Sequence, residues 1–401
     1  MNVDSYPVRG FLKASLRSEV KSFLVMETAE RARVLESRGQ SIIHMEIGQP
    51  TFSAPREALS AVADSLDNSS LGYTVSLGLP QLRVGIADLY KKWYGLDISA
   101  ERVIVTNGSS SAFILACTAL FDAGEKVAIG EPGYASYRNI FKAMSLETVG
   151  IPTTMESRFQ PTPEDLRRVG EVSGLLVASP SNPTGTILSK EELEGLIHAC
   201  QARGIKFISD EIYHGLHYTG ERRCVSALEV SDDVYVINSF SKYFSMTGWR
   251  VGWMIVPQHH VRIIERLAQN LFICAPHVSQ VAAVGALRSL DECERNKTVY
   301  ARNRALMLEG LPRSGFKAFA PPDGAFYLYA SVEEDSEKLC TELLEKAGVA
   351  ITSGLDFDPV RGSRTVRFSY AGATCDIVEG LKRLEAWHEG RRGQGAGSGS
   401  I

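Results

Sequence analysis

The sequence predicts an α/β protein: a mostly parallel central sheet with helices on both faces, and a smaller α+β domain appended. Three observations point there. From about residue 102 to 256, short β-branched runs alternate with helical patterns, as in successive strand-helix-strand crossovers. Polar or small residues follow each run, where an open sheet of this kind binds its ligand. Beyond residue 311 the pattern turns mixed, which predicts the smaller unit.

Taken in order, SEVKSFLVMETAERARVLESRG (18–39) spaces its apolar residues near helical periodicity and stops at Gly39, so it reads as a helix. SIIHMEIGQP reads as a short strand entering a turn. RVIVT, KVAIG, GLLVAS, IKFISD and VYVINSF read as strands, with SSAFILACTAL, EDLRRVG and KEELEGLIHACQARG as helices among the intervening segments. After VGWMIV the chain is mainly helical from about 258 to 311. AFYLYA and TVRFSY then read as strands and DSEKLCTELLEKAG as a helix, while GRRGQGAGSGSI has the composition of a flexible tail. The expected division is therefore an N-terminal segment, 1–49, packing with the small domain; a large domain, 50–290; a small domain, 291–390; and a tail, 391–401.

Composition narrows the function. The 401 residues are 44% hydrophobic and 22% charged, and 43 basic against 47 acidic residues leave a net charge of -4 with no basic block. Nothing there suits a nucleic-acid or polybasic membrane surface, so small-molecule chemistry is expected. Seven scattered cysteines without a C-x-x-C pair suit reduced thiols in a cytoplasm and argue against a structural metal. No continuous apolar segment reads as a secretory signal or a membrane span.

Five strand ends carry the chemistry. RVIVT leads into Asn107-Gly108-Ser109-Ser110-Ser111, small residues that open a helix and suit either an anion site or a plain serine cap. KVAIG leads to Tyr134, for ligand stacking or core packing. GLLVAS leads through a rigid turn to Asn182, and IKFISD ends on Asp210, followed by Glu211 and Tyr213. An acid closing an apolar strand is seldom there for stability, because its burial needs a cation. VYVINSF leads into SFSKYFSMTGWRVGW, which sets Lys242 among Phe240, Tyr243, Phe244 and Trp249 and adds Arg250. Partial burial would lower the amine's pKa and suit it to attack an aldehyde, although from that window alone a snorkelling lysine at a core edge is the favoured reading. Together the five ends call for a ligand with a phosphate, an aromatic ring, a cationic ring nitrogen and a carbonyl, which pyridoxal phosphate (pyridoxal 5'-phosphate, PLP) combines.

In these residues the chain resembles fold-type I pyridoxal-phosphate enzymes, and specifically the class I/II aminotransferase family (aspartate aminotransferase-like). The likeness runs from about Ile47 to Tyr370 through GQPTF, YTVSLGLPQLR, TNGSSSAF, EPGYASY, SPSNPTG, SDEIY, SFSKYFSMTGWRVGW, DGAFY and VRFSY, in that order. The resemblance implies a ping-pong aminotransferase for an L-amino acid and a 2-oxo acid. By it Lys242 carries the cofactor as an aldimine and shuttles the proton, Asp210 pairs with the pyridine nitrogen, Asn182 and Tyr213 bond the phenolic oxygen, and Tyr134 stacks on the ring. Ser109, Ser110, Ser239, Ser241 and Arg250 hold the phosphate. Arg367 binds the substrate carboxylate, with Arg364 a surface charge. Gly48 and the aromatics of DGAFY wall the substrate, His214 and His277 are packing or solvent-facing, and Tyr73 crosses to the neighbouring cofactor phosphate in a homodimer with shared sites.

LAQNLFICAPHVSQ lacks the arginine by which one branch of the family holds a second carboxylate, so aspartate is neither supported nor excluded. Other chemistries share the scaffold, namely aminocyclopropane-carboxylate synthase-like, β-lyase and decarboxylase activities. A PLP-binding transcription regulator would carry an added DNA-binding domain, for which the 46 residues before IGQP leave little room.

Overall fold

The computed structural model describes residues 12–218, 220 and 222–396. A helix α1 (Leu24–Glu36) and a short strand β1 (Ile43–His44) precede α2 (Arg56–Asn68) and α3 (Pro80–Tyr94). The alternating region follows as β2 (Val103–Thr106), α4 (Gly108–Leu120), β3 (Lys126–Glu131), α5 (Ala135–Ala143), β4 (Glu147–Pro152), α6 (Pro163–Arg168), β5 (Gly174–Ala178), α7 (Lys190–Ala202), β6 (Lys206–Asp210), β7 (Tyr235–Ser239) and β8 (Gly252–Ile255). Local chemistry sets several ends. Pro80 opens α3 and Gly95, left-handed at φ 72°, closes it; α6 and α7 begin with reciprocal caps from Thr162 with Asp165 and Ser189 with Glu192.

The seven strands lie in the order β2-β8-β7-β6-β5-β3-β4, with β8 antiparallel to both neighbours and the other pairs parallel. Alternate residues feed the two faces. Val105, Leu175, Phe207, Val236 and Trp253 pack with α3, α7 and α9 (His277–Ala286), whereas Ile104, Leu176, Ile208, Ile237 and Met254 pack with α4, α5 and α8 (Val261–Leu271). Both faces are covered, so the middles of the central strands are apolar on both sides, with polar residues at the ends of β3, β6 and β7.

The remainder comprises α10 (Leu290–Arg313), β9 (Tyr327–Ser331), α11 (Ser336–Glu342), β10 (Val349–Ala350), β11 (Thr352–Ser353), β12 (Thr365–Ser369) and α12 (Thr374–Ala396). The strands β11-β12-β9 form an antiparallel sheet, and β10 pairs in parallel with β1 from the start of the chain. Three details differ from the sequence reading. The strand β4 was not anticipated, because Gly150 and Pro152 interrupt its β-branched residues. The first helix starts at Leu24 rather than Ser18, since its leading N–H groups are capped from afar by Asp356. Helix α12 extends past residue 390 to Ala396, where Arg391 pairs with Glu334 at 2.7 Å and covers the Trp387 ring; residues 397–401 of the expected tail lie outside the described residues.

His44, half-exposed in β1, bonds the fully buried Glu46 at 2.7 Å and the more exposed Glu36 at 3.1 Å. The Glu46 hydrogen bond, against opposing burial and with help from Glu36, raises the imidazole from 6.5 to about 9. Its folded value lies above its unfolded one, so this contribution is complete below pH 6.5 and disappears as pH climbs through about 9. The gap in thermal midpoint between the natural protein and His44→Gln should therefore be widest near about pH 6 and close above about pH 9. A gap that does not change with pH in thermal scans would refute this.

Candidate active site

The carboxyl ends of the strands open on a cleft of about 640 Å³. Eleven of the residues singled out from sequence line it: Gly48, Ser109, Ser110, Tyr134, Asn182, Asp210, Tyr213, Ser241, Lys242, Arg250 and Arg367. Two do not. Ser239 is buried behind Ser241, with hydroxyl oxygens 2.8 Å apart, and Tyr73 is 84% exposed away from its own chain's cleft.

Asp210 ends β6, its side chain enclosed. Tyr137 donates to Oδ2, and the Ile212 N–H donates to Oδ1 at 3.0 Å. Burial lifts the carboxyl to about 6, opposed by these two donors and by Lys242. No ion pair to Asp210 exists among the described residues. Lys242, three residues beyond β7, donates from Nζ to the Gly48 carbonyl at 2.7 Å. Burial, with repulsion from Arg367 and Arg250, lowers its ammonium from 10.5 to about 8. That carbonyl is within reach because residue 48 is glycine: a Cβ there would lie 1.6 Å from the Tyr327 hydroxyl oxygen.

At one end of the cleft, α4 begins with Gly108 at φ +71°, followed by Ser109 and Ser110, so the unpaired N–H groups and positive dipole of a helix N-terminus meet the cavity. Arg250, itself left-handed at φ 51°, lies against this turn and donates to the Thr247 carbonyl at 2.9 Å; a Cβ on Gly108 would come 2.6 Å from its guanidinium. At the other end Arg367 is buried between the Tyr327 and Phe357 rings, 4.4 and 4.7 Å from their centroids. It donates to Asn182 Oδ1 at 2.8 Å and to the Glu46 carbonyl, and its Nε has no partner among the described residues. Tyr213 and Tyr327 join hydroxyls at 2.9 Å.

The histidines and Arg364 are engaged elsewhere. His214 is buried, donating from Nε2 to the Ser179 carbonyl at 2.9 Å with Tyr94 on Nδ1; burial drops it to about 3, so it is neutral. His277 donates to the Gly72 carbonyl at 2.8 Å, and exposed Arg364 donates to the Glu333 carbonyl. Sequence reasoning missed Tyr137, Thr247 and the α1 residues Val25 and Met26 with their neighbour Phe23, all of which line the cleft. Tyr137 lies one helical turn after Tyr134, a spacing that could have signalled it.

The strand order, the strand-end cleft and the smaller α+β unit define a fold-type I pyridoxal-phosphate-dependent enzyme. More narrowly, the chain belongs to the aminotransferase class I and II family, whose profile matches residues 40–383, and its activity is amino-group transfer. It is 43% identical to a valine–pyruvate aminotransferase of Mycobacterium tuberculosis across 94% of this chain and 98% of that one. It is 35% identical to an aspartate aminotransferase of Thermotoga maritima, covering 92% and 97%. Among solved structures, a putative aminotransferase from Silicibacter pomeroyi superposes with a TM-score of 0.90 at 56% identity, covering 94% of this chain and all of that one.

An amine depressed to about 8 is neutral, and nucleophilic, at a pH where an ordinary lysine is still charged. Labelling the cofactor-free protein with a small aldehyde, reducing with borohydride and mapping peptides should show Lys242 reacting with a midpoint near about pH 8. A midpoint near about 10 would contradict the burial argument.

Proposed function

We propose that the protein moves an amino group between an L-amino acid and a 2-oxo acid with pyridoxal phosphate held in the cleft. The observation that carries this is the meeting, in one cavity, of a part-buried amine with a lowered pKa and a buried carboxylate that has no ion-pair partner among the described residues. The rest of the cavity fits the cofactor. The helix start at Gly108 is a cradle a Cβ would fill, and it stands beside Ser109, Ser110, Ser241 and Arg250, a donor set for a dianionic phosphate. Ser239 supports Ser241 from behind rather than facing the cavity.

Bound there, pyridoxal phosphate supplies an electron sink for the pair left when the substrate Cα–H bond breaks. The chain's residues do the rest. Asp210, oriented by Tyr137 and the Ile212 N–H, holds a proton on the ring nitrogen by charge. Asn182 and Tyr213 bond the phenolic oxygen, and Tyr134 packs on the ring. Lys242 Nζ would carry the proton away from the substrate Cα, and its lowered pKa of about 8 suits an amine that both accepts and gives up a proton. Arg367 holds the α-carboxylate, for which its unpartnered Nε is a ready donor.

The protein is proposed to work in the cytoplasm, which suits seven free thiols, and as a homodimer. The exposed Tyr73, away from its own cleft, suits a side chain that completes a neighbour's site. The divisions at residues 50 and 291 are kept as the domain reading, and α12 carries the small unit beyond 390 to Ala396.

Two outcomes check this. Cofactor-loaded protein mixed with single amino acids and no oxo acid should change from the pyridoxal to the pyridoxamine spectrum, and Arg367→Lys should raise KM at least about tenfold for every donor alike, since a point charge loses the two-point contact. A donor-independent absence of the spectral change would refute the reading. Second, mixing inactive Lys242→Ala with an impaired Tyr73→Ala should restore activity once subunits exchange, because one site in each mixed dimer is intact. Exchange without recovery would refute a shared site.

A further inference from the structure

The cleft has a side that none of the roles above uses. Phe23, Val25 and Met26, at the start of the first helix, line it together with Ile47 and Ile140. Met26 and Ile47 are exposed there, at 59% and 36%, so their apolar surface stays in water unless something covers it. The cations lining the cleft among the described residues are Lys242, Arg250 and Arg367, each already given a partner in the amine, phosphate and α-carboxylate roles. No described lining cation is left for a second substrate carboxylate.

The wall is held in a specific way. Phe23 stands at the N-cap of α1 and its side chain has no acceptor, so the first N–H groups of the helix need one from elsewhere. Asp356, 7% exposed and 331 residues away in sequence from Val25, supplies it: Oδ1 accepts from Leu24 N–H and Oδ2 from Val25 N–H, both at 2.9 Å. Asn139 on α5 adds a bond to the Lys21 carbonyl at 3.2 Å, and the Phe23 ring lies 6.1 Å from that of Tyr134. The segment is thus tied both to the small unit and to the helix that bears Ile140.

We propose that the cleft selects amino donors with apolar side chains through the wall of Phe23, Val25, Met26, Ile47 and Ile140, and that Asp356 is the positioning residue that holds its N-terminal part. The proposal rests on the aminotransferase reading above. A donor side chain lying against this wall removes both surfaces from water, and the added apolar contact gains at least roughly tenfold in kcat/KM. Alanine, with little side chain to bury, serves as the reference that the wall barely touches. Asp356→Asn keeps the volume but leaves one of the two N–H groups facing an amide donor, so the wall loosens while the groups that handle the proton stay in place.

The test uses the full-length protein loaded with pyridoxal phosphate and follows its spectral conversion by leucine, valine, alanine, aspartate and glutamate. Leucine and valine should exceed alanine, aspartate and glutamate by about tenfold or more in kcat/KM. Aspartate or glutamate equal to or ahead of leucine overturns the selection and leaves the aminotransferase reading intact; no conversion by any donor, alanine included, fails that reading itself. In Asp356→Asn, leucine should lose about tenfold and alanine stay near its original value. An equal loss for both donors, or none for leucine, overturns the positioning role. Phe23→Ala tests the wall without touching a buried charge: a larger loss for leucine than for alanine supports it, and an equal one overturns it.

Discussion

The buried guanidinium of Arg367 is the constraint around which the cleft is assembled. It lies on β12, yet its hydrogen bonds go to Asn182 in the turn after β5 and to the carbonyl of Glu46 beyond β1. Three distant stretches of chain meet at one side chain. Burying such a cation is costly unless its donors are satisfied and its faces covered, and Tyr327 and Phe357 cover both faces. The fold therefore fixes where Arg367 points before any substrate arrives, and leaves one donor, Nε, without a partner among the described residues.

Charge is balanced locally around it. Arg367 and Arg250 both act on Lys242, depressing an amine that burial already lowers, while Asp210 pulls the other way less strongly. Behind Asp210, the next residue, Glu211, is wholly buried and pushed up to about 8 by that burial, although Ser209, Ser226 and the Ala227 N–H all donate to it. With its proton on at neutral pH, Glu211 braces the loop after β6 without adding a second negative charge beside Asp210. On the opposite side Glu46 is also buried, and there the compensating proton belongs to His44. Of the two adjacent acids, only Asp210 lines the cleft and feels the Lys242 charge, while Glu211 is satisfied behind it.

The sequence made the strand-end half of the site legible. Each β-branched run is short and apolar on both faces, so the residue that breaks it stands out, and Asp210, Asn182 and Lys242 were found in this way. Gly48 could be recognised as part of the wall, but not the reason for it, because the clash with Tyr327 involves residues far apart in sequence. The α1 contribution left no local signal: its first N–H groups are capped by Asp356, so the helix lacks the local cap residue that would have marked its start. The same holds at the other end of the chain, where an ion pair to Glu334 extends α12 through glycine-rich residues whose composition reads as a tail. Periodicity reports local burial; it does not report which distant group satisfies a helix end.

Asn182 links the two halves of the proposed chemistry. Its Oδ1 accepts from Arg367, which fixes the orientation of the amide and turns Nδ2 toward donation. An amide with its oxygen committed has only N–H groups to offer the phenolic oxygen of the cofactor, which is the polarity that oxygen requires. The arginine proposed for the substrate carboxylate therefore also orients a group proposed for the cofactor. A shift of Arg367 on substrate binding would be felt at the ring, and the two ligands would not be held independently. Tyr213 and Tyr327 repeat the arrangement with paired hydroxyls at 2.9 Å, Tyr327 stacking on Arg367 while Tyr213 is the one proposed to meet the cofactor. Arg367 and Tyr327, on the substrate side, thus each rest on a group proposed to meet the cofactor, Asn182 and Tyr213, and hydrogen bonds within the chain set their relative geometry.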